Sequence, residues 1–142
     1  MDDNPYASGK LLSDVAEATS DDRAVSTVRK FAAFTIAFLG GAMIWAVSTA
    51  VIGHAEPWDG NNGYYFLSVA VVSTISGLIS GGKFWPAIVG AYLGQVVYCA
   101  IFYRPGGAFL PLILISVGII GVVPSIIGTA SSWIFLRSIR RR

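Results

Sequence analysis

Residues 108–136 read AFLPLILISVGIIGVVPSIIGTASSWIFL and contain no charged side chain. About 20 mostly apolar residues carry a helix across the hydrocarbon core of a bilayer, and this stretch exceeds that length. Three further stretches read the same way: about Phe31–Gly53, Tyr64–Ser80 and Phe84–Tyr103, each free of Asp, Glu, Lys and Arg. The chain of 142 residues is 54% hydrophobic and 13% charged, roughly half the charged share of an ordinary soluble domain. A water-facing surface cannot be built from what remains. The composition excludes a soluble enzyme, a nucleic-acid-binding module and a disordered chain. It predicts an all-α integral membrane protein with four spans.

Features within these stretches refine the prediction. The first is no cleavable signal peptide: it begins too deep, is too long and follows an acidic leader. In the fourth, Pro124 removes a backbone donor and crowds the carbonyl of Ile120, which predicts a kink, a tilt or a last turn that emerges into water. Pro111 sits in the first turn, where proline is tolerated.

Basic residues orient the spans. Lys10, Arg23, Arg29 and Lys30 precede the first, Lys83 lies between the second and third, and Arg137, Arg140, Arg141 and Arg142 follow the fourth. Four crossings place all of these on one side, with Arg104 alone on the other. The positive-inside rule makes the basic side cytoplasmic. The prediction is a four-helix up-and-down bundle with both termini cytoplasmic. A polar N-terminal segment covers 1–26, a four-span transmembrane domain 27–137 and a basic tail 138–142. Arg137, Arg140, Arg141 and Arg142 are expected at anionic headgroups, each contributing about 1 kcal/mol near the membrane surface. Trp58, Tyr64, Tyr65, Phe102 and Tyr103 flank the outer loops, and Trp85 and Trp133 fall at the inner boundary, as an interfacial aromatic belt requires.

Outside the spans the signals are local. Thr19 and Ser20 precede Asp21 and Asp22, a helix-start pattern, so the first membrane helix is expected to begin near Ser20. Leu11, Leu12, Val15 and Ala18 recur at roughly helical spacing, which predicts a short surface helix before it. Asn4-Pro5-Tyr6-Ala7-Ser8 resembles a segment near the start of many small bacterial membrane proteins, with Gly9 where that segment carries proline. The resemblance implies a bacterial cytoplasmic membrane and no activity. Gly81-Gly82-Lys83 and Arg104-Pro105-Gly106-Gly107 read as tight turns.

Small residues recur every four positions: Ala33, Ala37 and Gly41; Ser73, Gly77 and Gly81; Gly90 and Gly94; Gly121, Ser125 and Thr129. Lipid tails give apolar side chains no reason to leave them, so helices in a bilayer associate by close backbone approach, which small residues permit. These faces are expected to pack the chain's own helices. The sharper alternative is that one of them makes a homo-oligomer.

Gln95 is the only amide or strongly polar side chain in mid-membrane. Tyr92 and Tyr98 bracket it at three-residue spacing on the third span. Such a group marks either a solute or ion path or an interhelical hydrogen bond, for which Ser76 and Ser125 are the expected partners.

Other chemistry is excluded or weak. No Asp, Glu, Lys, Arg or His lies within a span, so the membrane-embedded acid on which small four-helix multidrug exporters rely is missing. The chain also lacks the Asn- and Arg-containing motif of the similarly sized fluoride channels. Cys99 is the single cysteine, so no intramolecular disulfide or Cys-x-x-Cys pair exists. His54, Glu56 and Asp59 fit no known zinc spacing. Gly81-Gly82-Lys83 lacks the earlier glycine of a phosphate loop. The serines have no intramembrane His or acid to activate them. No cofactor, metal site, catalytic residue or nucleic-acid partner is expected. The function expected is non-enzymatic: a structural or accessory membrane protein that packs or self-associates through its small-residue faces. The alternative is a small passive channel or transporter lined by Gln95, Tyr92 and Tyr98.

Overall fold

Hydropathy and proline placement set the helix limits. In the computed structural model, α1 spans Pro5–Ile52, α2 Tyr64–Ile79, α3 Phe84–Tyr98 and α4 Leu110–Ile139, with a π-helical turn, Cys99–Tyr103, continuing α3. The description covers the backbone of residues 5–54, 56–58, 63–103 and 110–141, and the side chains of residues 22–54, 56–58, 63–102, 111 and 114–141. All regular structure among these residues is helical.

Helix α1 differs from the expectation of a start near Ser20. It is a single helix of 48 residues, about 72 Å long at 1.5 Å per residue, and it runs through Thr19 and Ser20 without a break. Pro5 at its first position is pre-set for a helical first turn, and no proline follows until Pro57. The cap-like residues therefore lie inside a helix that nothing obliges to stop.

Among the described residues, three stretches are long and apolar enough to cross a membrane: Asp22–Ile52, Phe84–Phe102 and Leu114–Ile139. The apolar helix α2 has 16 residues, about 24 Å, which falls short of a hydrocarbon core about 30 Å thick. Helix α4 continues through Pro124.

The packing is inverted relative to a water-soluble bundle. Large apolar side chains such as Leu67, Phe102 and Ile119 are exposed, while the interior holds Ala33, Ala37, Ala87, Ala91, Ser48, Ser76 and Thr129. Lipid covers the large residues at no cost, and small ones let backbones meet.

The pairwise registers follow from named contacts. Between α1 and α2, Arg29 Nε donates to the Ile79 carbonyl at 3.0 Å, Ser76 Oγ to that of Ala33 at 2.9 Å, and Tyr64 OH to that of Ile44 at 3.0 Å. Rising numbers on α1 meet falling numbers on α2. Between α1 and α3 both rise: Gly90 lies under Phe34 and Ala37, Gly94 under Phe38, and Gly41 against the Ala91 carbonyl. They also rise together on α2 and α4. Gly128 lies against Ala70 and Ser73, Gly77 against Thr129 and Ser132, and Thr74 Oγ1 shares its proton between the Ala70 and Gly128 carbonyls.

The turn after α2 uses glycine where only glycine is at ease. Gly81 and Gly82 have φ of 71° and 85°, a region that side chains with a Cβ avoid. The Gly82 N–H reaches back to the Gly77 carbonyl at 2.7 Å, and the Lys83 N–H donates to Ser80 Oγ at 3.2 Å. Carbonyls at the end of α2 are thus satisfied within the turn.

Candidate functional site

Close approach of α1 and α3 creates the site. At Gly90 an added Cβ would lie 2.6 Å from the Phe34 carbonyl oxygen, and at Gly94 and Gly41 it would collide with the facing backbone. With no side chains between them, the two helices bring Trp45 of α1 against Gln95 of α3. Gly121 does the same on α4. The position its Cβ would take is 2.8 Å from the Tyr65 hydroxyl, so the missing side chain makes room for that group.

Gln95 is 1% exposed. Its Oε1 accepts hydrogen bonds from the Tyr65 hydroxyl at 2.9 Å and from Trp45 Nε1 at 3.3 Å. Its Nε2 donates to the Ala91 carbonyl at 3.1 Å. A carboxamide oxygen has two acceptor sites, and both are taken. One side chain thereby ties α1, α2 and α3 together.

Trp58, from the segment between α1 and α2, covers this node. Its ring meets Trp45 edge-on at 4.9 Å and 86°, and Tyr65 at 5.6 Å and 81°. Its indole N–H donates to Glu56 Oε2 at 2.9 Å. Beneath it, Trp45, Cys99 and Val117 form a buried cluster that Trp58, Tyr92 and Tyr98 pack against.

The residues predicted to line a path part company. Tyr92 and Gln95 border the same cavity between α3 and α4, with Gly118, Gly121 and Ser125. Its volume is about 10 Å³, at the lower limit for one water molecule. The Tyr92 hydroxyl donates to the Leu114 carbonyl at 3.4 Å. Tyr98 is not among the cavity's lining residues, and its ring lies 5.1 Å from that of Phe102. Each three-residue step turns a helix by about 300°, so Tyr92 and Tyr98 point about 120° apart.

The partners expected for Gln95 are engaged elsewhere. Ser76 bonds Ala33, and Ser125 donates to the Gly121 carbonyl of its own helix at 2.8 Å. Instead the partners are Trp45 and Tyr65. The belt assignment for Tyr65 is corrected: this residue is 1% exposed, because its ring fits beside Gly121 and its hydroxyl finds Gln95. Trp85 and Trp133 are exposed, as belt residues would be. Trp45 carried a usable signal, since an indole N–H well inside an apolar span must find an acceptor.

The small-residue faces lie against neighbours in the same chain. Ala37 and Gly41 meet α3, Gly90 and Gly94 meet α1, Ser73 and Gly77 meet α4, and Gly121 meets Tyr65. Ser125 is buried beside the cavity. Ser73 Oγ has no hydrogen-bond partner among the described residues.

Among the described residues, no three His, Cys, Asp or Glu side chains come together. Asp59, Asn61, Asn62, Arg104 and Arg142 lie outside the described residues. At the far end of α4, the Arg137 guanidinium sits 5.1 Å over the Trp133 ring. No protein-family model, curated protein or solved structure matches the chain.

Proposed function

We propose that this is a non-enzymatic, four-span membrane protein with a structural or accessory role, whose intramembrane polar groups fasten its own helices. One observation carries the reading: both acceptor sites of the Gln95 oxygen are occupied, by Trp45 and Tyr65. A group that lines a path must be free to exchange partners with the solute. The 10 Å³ cavity beside Gln95 also argues against a pore through one chain.

The contact registers support an up-and-down bundle in which α2, though short, makes the second crossing. The bias of basic residues supports cytoplasmic termini, and the N-terminal resemblance supports a bacterial cytoplasmic membrane. Because the small-residue faces are already covered by the chain's own helices, self-association would fall to the outer faces of large side chains.

The test is Gln95→Leu in proteoliposomes loaded with ions and small polar solutes. The expected result is a folded, less stable protein whose leak equals that of the wild type. A wild-type flux that Gln95→Leu alters would overturn the reading in favour of a passive channel. The topology is checked by maleimide labelling of Asn61→Cys and Ser138→Cys in a Cys99→Ser background. Labelling from opposite sides is expected, and labelling of both from one side would overturn four crossings.

A further inference from the structure

The charges of this chain are segregated. No Asp or Glu follows Asp59, so Arg137, Arg140 and Arg141 face no carboxylate from their own half of the molecule. The exposed Asp22 is on α1, whose packing is chiefly with α3 and α2. Trp133, Ile134, Arg137, Ser138 and Arg141 share one open face at the end of α4. The face is organised rather than merely charged. Arg137 is held over the Trp133 ring at 5.1 Å, a cation–π contact that limits its freedom. The ring in turn is backed by the turn after α2, where the position of a Cβ on Gly82 would be 3.1 Å from Trp133 Cδ1.

We propose that this face of α4 is a docking site for the headgroup of an anionic phospholipid, with Arg137, Arg141 and Ser138 meeting the phosphate and Trp133 and Ile134 meeting the first part of the acyl chains. Charge complementarity selects the occupant. A phosphate diester supplies the acceptor oxygens that guanidinium groups bind, whereas the cationic group of a zwitterionic lipid would be brought against arginines. The half-exposed indole and the exposed Ile134 beside these arginines are the apolar neighbours that a lipid has and free phosphate lacks. The proposal rests on α4 crossing the membrane, and not on which side its end faces.

The experiment places the full chain in nanodiscs of phosphatidylcholine and phosphatidylglycerol and reads the lipid retained on release by native mass spectrometry. Retention of phosphatidylglycerol over phosphatidylcholine is expected for the wild type and for Arg23→Gln. Roughly thirtyfold weaker retention is expected for Arg137→Gln/Arg141→Gln, from about 1 kcal/mol per arginine. Trp133→Leu keeps both charges and should weaken retention as well. Retention by the double arginine variant at the wild-type level would overturn the site. A loss in Arg23→Gln as large as in the double arginine variant would overturn it in favour of diffuse charge. Displacement of the lipid by excess inorganic phosphate would overturn the lipid as occupant. A chain that never enters nanodiscs fails on the membrane reading itself and takes the proposal with it.

Discussion

The hydroxyl of Tyr65 donates a 2.9 Å hydrogen bond to Oε1 of Gln95, joining the first turn of α2 to the last turn of α3. Both residues are 1% exposed, so neither can trade this bond for water. Trp45 supplies the second bond from α1. In a bilayer an unpaired polar group costs several kcal/mol, so two donors converging on one acceptor bias three helices toward a single register.

Gln95→Leu is expected to lower stability by about 2 kcal/mol, because it leaves the Tyr65 hydroxyl and the Trp45 indole N–H buried without an acceptor. Tyr65→Phe should cost less, about 1 kcal/mol, since Gln95 keeps its bond from Trp45. Denaturation in detergent, run as a double-mutant cycle, measures both. Equal costs for the two single variants would mean that Trp45 contributes nothing to the node.

Glycine-to-alanine changes should have opposite signs at two positions. At Gly94 the new methyl would strike the Phe38 carbonyl on α1, and separating the helices to admit it should cost about 3 kcal/mol. At Gly118 the nearest atom is Tyr92 Cε2 at 3.5 Å, an ordinary contact. There the gain in helix propensity should stabilise by up to about 1 kcal/mol. Melting temperatures of the two variants decide this, and a loss at Gly118 would show that the α3–α4 seam is tighter than its contacts indicate.

How far the sequence could be read follows from these particulars. The charge-free runs located the helices, because a bilayer demands length and apolarity whatever the tertiary detail. Gly90 and Gly94, four residues apart, lie against α1, but their spacing marks only a face that permits close approach and does not name the helix that meets it. The spacing could not say that Tyr65 belongs inside. A tyrosine at the start of a span reads equally well as an interfacial anchor, and only the gap at Gly121 on a distant helix decides otherwise. Tyr98 lies on a different sector of the helix from Tyr92, because two three-residue steps leave the side chains a third of a turn apart. The start of α1 was misplaced because cap residues are permissive: they favour a helix start and do not enforce one.

Cys99 offers a direct test of the cover formed by Trp58. The thiol is 0% exposed, and Trp58 packs on the cluster that contains it. Labelling by a water-soluble maleimide should be slow in the wild type and at least about tenfold faster in Trp58→Ala, as expected if opening over the node costs about 1.4 kcal/mol less. Cys99 is the only thiol, so the readout needs no background changes. An unchanged rate would mean that the ring does not control access.

Arg29 leads to a last prediction, about the C-terminal end of α2. Its Nε donates to the Ile79 carbonyl at 3.0 Å, one of the groups that a helix C-terminus leaves without an intrahelical donor. The cation also lies where the negative end of the helix dipole favours it. Both effects act on the last turn of α2 and on the Gly81–Gly82 turn, and neither reaches the Gln95 node. Arg29→Gln should therefore cost about 1 kcal/mol of local stability. Amide hydrogen exchange should quicken at Ser80, Gly81 and Gly82, while Gln95 and Tyr65 keep wild-type protection. Arg29→Lys should recover only part of the loss, since an ammonium restores the charge but not the Nε donor. Full recovery by lysine would assign the effect to the dipole alone, and faster exchange spreading to Gln95 would show that the turn and the node open as one unit.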